Sequence, residues 1–223
     1  MHKTFSILLL LSFSCAVFAQ ETEEPVGPRR QAYETAQALK QGTLIVVLPS
    51  HSNKIKAMKA MLDNPSVGDK DKERIGKQLE TTMTEGRLNN RITIGAFREF
   101  YRFSEVYFAY DTATTQLRNG ITEDFFLNDS LEVDEQLSVP AGKAWFTLRT
   151  GYMDAADSSG AEAFILSDRD FKELPPPFPG AVRLDNVNFL INRTLAPEIA
   201  VRKRMGKAVK KLEERLRDLN RGY

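Results

Sequence analysis

Ser50 to Lys54 (SHSNK) places two hydroxyls, an imidazole and an ammonium within five consecutive positions. Directly before them, residues 43–48 (TLIVVL) form an unbroken apolar run between Gly42 and Pro49, the pattern of a strand buried on both faces. In open α/β sheets, ligands sit beyond the carboxyl ends of strands, where the next helix offers free N–H groups. Ser50, Ser52 and Lys54 are therefore candidates for holding a phosphate or a carboxylate. The plainer account is that Ser52 or Asn53 caps the next helix while His51 and Lys54 face water. No glycine-rich phosphate loop precedes them. His51 is a candidate general base, but no G-x-S-x-G nucleophile elbow accompanies it.

A second set is carboxylic. Asp111 follows the apolar run 105–110 (EVYFAY); Asp168 and Asp170 follow 162–167 (EAFILS). If both strand ends open on one edge of a sheet, Asp111 and Asp168 could hold Mg²⁺ or act as acid and base, giving a metal-assisted hydrolase. Alternatively, Asp111 caps the following helix and Asp168-Arg169-Asp170 is turn chemistry. If 162–166 runs antiparallel to its neighbours, Asp168 falls on the opposite edge and the pair dissolves. Apart from His2 near the amino terminus, His51 is the only histidine. A His/Cys metal centre is not expected, and no cofactor is implied.

The elements that must position these groups follow from periodicity. Residues 31–41 suit a short helix stopped by Gly42, and 54–62 a second one. Residues 69–101 read as a long helix, with a break possible at Gly86 or Asn89-Asn90. Ile75, Leu79, Met83, Ile94, Phe97, Phe100 and Tyr101 share one face, from which Leu88 and Ile92 depart. The aromatics of 97–110, interleaved with Arg98 and Arg102, could stack bases or sugars, but core packing accounts for them without a ligand. Residues 144–149 (AWFTLR) and 162–166 (EAFIL) suggest an antiparallel pair. Residues 174–180 (LPPPFPG) form a rigid turn.

The last helix, 197–220, has an apolar stripe of Val201, Met205, Ala208, Val209, Leu212, Leu216 and Leu219, and a strongly basic remainder. Lys203, Lys207 and Lys210 lie on that basic face, which could meet anionic lipid or a partner protein; the plainer account is a solvated outer face with the stripe packed on the domain. The sum is an α/β fold: a mixed, partly parallel sheet flanked by helices, with a C-terminal amphipathic helix.

Residues 1–19 begin with His2 and Lys3, continue as an apolar run from Phe5 to Phe18, and end in Val17-Phe18-Ala19. This is the make-up of a secretory signal peptide, and the run is short of the roughly 20 residues needed to span a bilayer. Residues 20–30 then form a flexible leader, and 31–223 one α/β domain. Cys15 is the only cysteine; as a lipidation site it is poorly served by the bulky Phe13, so cleavage after Ala19 is the expectation. The destination is periplasmic or extracellular, with no transmembrane segment. The chain holds 31 Lys+Arg against 30 Asp+Glu, and removing Lys3 leaves thirty of each. Such a balance provides no field for nucleic acid.

The segments GTLIVVLPSHSNKI, AFREFYRFSEVYFAY, EAFILSDRDF and FPGAV together resemble a family of uncharacterised exported bacterial proteins. The resemblance implies a secreted α/β domain and no activity. The expectation is therefore a non-catalytic binding or interaction module at the cell envelope, with a protein partner. The alternative is the carboxylate hydrolase.

Overall fold

The computed structural model describes residues 27–153, 161–185 and 196–222. Its centre is a five-stranded sheet of order β2-β1-β3-β4-β5. The strands are β1 (Thr43–Leu48), β2 (Glu105–Tyr110), β3 (Trp145–Tyr152), β4 (Glu162–Ser167) and β5 (Ala181–Arg183). β1 pairs in parallel with both β2 and β3, while β4 runs antiparallel to β3 and β5. The helices are α1 (Pro28–Gln41), α2 (Ser52–Asp63), α3 (Asp69–Phe100), α4 (Thr114–Arg118) and α5 (Pro197–Arg221). The expected mixed sheet with flanking helices and a C-terminal helix is thus observed.

Side chains alternate across a strand, so the sheet has two differently covered faces. Leu44, Val46 and Leu48 face a core built with Ala32, Ala36 and Leu39 of α1, Ile94 and Phe97 of α3, and Val209, Leu212 and Leu216 of α5. Ile45 faces the other way, towards Ala113, Leu117, Phe125, Phe126 and Val139. That second cover comes from α4 and the connection leading to β3. β1 is central and covered on both sides, which is why its six residues carry no polar alternation.

α1 begins at Pro28, three residues earlier than the expected leader boundary. Proline suits the first helical turn because its missing N–H would have no partner there. The signal sequence, Cys15 and residues 20–26 of the leader lie outside the described residues. α3 is unbroken through Gly86, Asn89 and Asn90. Its buried face is not the single stripe that periodicity suggests: Ile92 is buried, whereas Met83 is half exposed. The two halves of α3 have different neighbours. The first packs on α2, the second on the sheet and α5, so the inward direction changes along its length. Phe97 lies 5.8 Å from Phe164 and 6.2 Å from Phe108, ring to ring. These aromatics form core.

Candidate functional site

Because β1 and β2 are parallel, Ser50 and Asp111 emerge at the same carboxyl edge of the sheet. They meet there: the Ser50 N–H donates to Asp111 Oδ1 at 3.1 Å. Asp111 does not cap the helical turn it begins; its side chain makes no cap bond there, and its carbonyl accepts from the Thr114 hydroxyl at 2.7 Å. The position where an incoming anion would meet the strand-end N–H is thus taken by the chain's own carboxylate. Ser50 Oγ, in turn, accepts the Ser52 N–H at 3.2 Å. The cap role expected of Ser52 or Asn53 falls instead to Ser50, because the helix starts at Ser52 and His51 is its N-cap residue with no side-chain cap bond.

His51 has φ 54°, the left-handed region that non-glycine residues seldom occupy. Its ring lies against α3 where Gly86 has no side chain: a Cβ there would sit 2.9 Å from His51 Cδ2. Asn90, buried one turn further along α3, donates to Pro49 O at 3.0 Å. Together these contacts clamp the turn after β1 onto α3. Lys54 is exposed on α2. At the end of β2, burial pushes the Tyr110 phenol up, and Arg87 nearby pulls it back.

Asp168 lies elsewhere. β4 is antiparallel to β3, with Ser167 opposite Thr147 near the start of β3. Asp168 therefore emerges at the amino edge of the parallel strands, away from Asp111. Its Oδ1 accepts the N–H groups of Asp170 and Lys172, both at 2.9 Å, which closes a turn. Asp170 is exposed beside Arg169, 3.9 Å away. The acid pair of the hydrolase alternative is thereby taken apart: β4 runs antiparallel, the case in which the pair was expected to dissolve, and puts its two members on opposite edges. Among the described residues, no group of three or more His, Cys, Asp or Glu is placed to hold a metal ion.

The amino edge of β1 and β2 holds a polar group that the sequence did not flag. Glu105 accepts from Lys143 Nζ at 2.6 Å and from Tyr107 OH at 2.9 Å. The hydrogen bond from Lys143 holds the Glu105 carboxyl below its ordinary value, against the opposing effect of burial. The Thr43 hydroxyl also donates to Glu105, at 3.4 Å, so the group joins β1, β2 and the loop before β3.

The remaining candidates converge. Lys203, Lys207 and Lys210 all line one cleft of about 680 Å³ between the start of α5 and the end of α3. Arg202 and Arg204 add to its cationic wall, and Glu99 and Asp185 are its acids. Several of these charges are matched within the chain: Arg202 pairs with Glu198 at 3.1 Å, and buried Arg204 pairs with Glu162. Lys207 stands 3.7 Å from Asp185 and is largely exposed. Lys210 Nζ lies over the Phe100 ring, 4.2 Å from its centroid. Phe100 is half-buried and reaches this position because residue 206 is glycine: a Cβ at Gly206 would come within 3.0 Å of the ring. A glycine inside a helix costs about 1 kcal/mol relative to alanine, and at residue 206 the close approach of Phe100 accounts for it.

α5 does not have a free apolar stripe. Met205, Ala208, Val209, Leu212 and Leu216 are all buried in the main core. An amphipathic helix binds lipid by burying its apolar face among acyl chains, and here that face is already used. No helix among the described residues is long and apolar enough to cross a membrane. Comparison of the chain with family models, with curated proteins and with solved structures finds no match.

Proposed function

We propose that this protein is an exported, non-catalytic binding module whose contact surface is the cleft between α3 and α5. Export rests on the composition of residues 1–19. The observation that carries the binding role is the convergence of Lys203, Lys207 and Lys210 on one cleft beside a half-buried aromatic ring. Cleft size and make-up suit a ligand or a short segment, since binding pockets commonly run from roughly 300 to 1,000 Å³ with an apolar part and a few polar groups. The carboxyl edge is the poorer candidate, because Asp111 occupies its free N–H.

The test is a melting-temperature panel on the purified protein and on its Lys203→Gln/Lys207→Gln/Lys210→Gln variant. The panel holds acidic oligopeptides, phosphate esters, nucleotides, sugars, Mg²⁺ and Mn²⁺. A ligand that binds only the folded form raises the melting temperature. The reading expects a stabilising anion whose effect the triple variant loses. Stabilisation by Mg²⁺ or Mn²⁺ alone, lost in Asp111→Asn, would overturn it in favour of chemistry at the strand ends.

A further inference from the structure

We infer that the occupant of the α3–α5 cleft is an extended acidic peptide segment, its carboxylates pairing with Lys203, Lys207 and Lys210 and an apolar side chain resting on Phe100. This inference rests on the binding role proposed above and names the class of partner.

Charge supports it first. Lys203 forms no ion pair among the described residues, Lys210 is held by a ring rather than a carboxylate, and Lys207 has a single loose partner. The whole chain carries only +1. The surplus is therefore local, and it suits a short acidic stretch rather than a long polyanion drawn in by a global field.

Spacing supports it next. Lys203, Lys207 and Lys210 follow an i, i+4, i+7 ridge on α5. At 1.5 Å rise per residue, such positions lie about 6 and 4.5 Å apart along the axis. An extended peptide presents alternate side chains about 7 Å apart on one side, so two acids flanking one intervening position come close to the ~6 Å step from Lys203 to Lys207.

The floor of the cleft decides between partners. Phe100 offers an apolar surface, but the Lys210 ammonium already covers one ring face. Stacking of successive bases needs free aromatic faces. A lipid surface meets protruding apolar groups, and the apolar stripe of α5 is buried. A peptide needs no insertable stripe, and one apolar side chain can rest on the part of the half-buried Phe100 ring that Lys210 leaves uncovered.

The probe is a fluorescein-labelled hexapeptide alternating Glu with Leu, titrated by anisotropy against the purified protein. A Gln-for-Glu version, a single-stranded oligonucleotide and phosphatidylserine vesicles run beside it. The acidic peptide is expected to bind. Its affinity should fall about tenfold or more in the triple Lys→Gln variant, and should fall again between ~50 and ~300 mM salt. Phe100→Leu, which keeps the site apolar, should weaken binding less than the triple variant does; circular dichroism checks that both remain folded. Equal binding of the Gln and Glu peptides, or of the Glu peptide to the triple variant, overturns the inference. Lysine-dependent binding of the oligonucleotide or vesicles with a silent peptide overturns this occupant while leaving the cleft as the binding surface. Silence from all probes also overturns it, and the melting panel then decides the broader binding role separately.

Discussion

The carboxylate of Asp111 ties together the ends of two parallel strands: its Oδ1 accepts the Ser50 N–H at 3.1 Å, across sixty-one positions of sequence. The same bond makes the edge an occupied anion position rather than a vacant one. Asp111→Ala removes the acceptor at an exposed site and should lower stability by about 1 kcal/mol. Asp111→Asn keeps an acceptor oxygen and should cost less. Urea unfolding of the two variants checks this order; a larger loss in Asn than in Ala would refute the role.

Glu213 of α5 performs a similar task deeper in the structure. It is buried, its Oε2 accepts the N–H groups of Arg102 and Phe103 at 3.0 Å each, and its Oε1 accepts from Arg217 Nε at 2.5 Å. It holds the chain as it leaves α3 for β2. Glu213→Ala strands two backbone donors and should destabilise by ~2–4 kcal/mol. Glu213→Gln should lose less, because one amide oxygen can still accept. Denaturant unfolding with an unchanged m-value would show that the native fold persists in both.

Two glycines predict opposite signs. A Cβ at Gly42 would lie 2.7 Å from Ala38 O and closer still to Ala144 O, both backbone atoms that cannot swing aside. Gly42→Ala should therefore destabilise by about 1–3 kcal/mol. Gly95, exposed on α3, has nothing within 4 Å of its would-be Cβ. Gly95→Ala should stabilise by ~0.5–1 kcal/mol through helix propensity. Thermal melts of the two single variants read both signs.

Glu105 makes a pH-dependent contribution. Lys143, chiefly, lowers its carboxyl pKa in the folded protein. A carboxyl with a lowered folded pKa stabilises fully above its unfolded value, about 4.3, and loses that contribution as pH falls towards the folded value. The pair is part-exposed, so the gain is a few tenths to about 1 kcal/mol. Glu105→Gln should thus be less stable than the parent at pH 7, and the gap should shrink as pH falls below about 4. Parallel urea titrations at several pH values measure the gap; one that widens at low pH would show the opposite linkage.

Much of the scaffold was legible from local pattern. The run 43–48 announced a strand covered on both faces because no polar position interrupts it. The stripe on 197–220 announced a helix seated on a core, and the antiparallel pair expected of 144–149 and 162–166 is observed as β3 with β4, residues 147–152 against 162–167. Such patterns report which side of an element avoids water, a property of neighbouring residues in the chain. They do not report which element provides the cover. Strand direction alone sends Asp168 to the edge opposite Asp111. A change of neighbours along α3 buries Ile92 and exposes Met83. The close approach of α5 to α3 at Gly206 turns three spaced lysines and a distant phenylalanine into one cleft. Each of these outcomes depends on contacts between residues far apart in sequence, which only the assembled tertiary structure brings together.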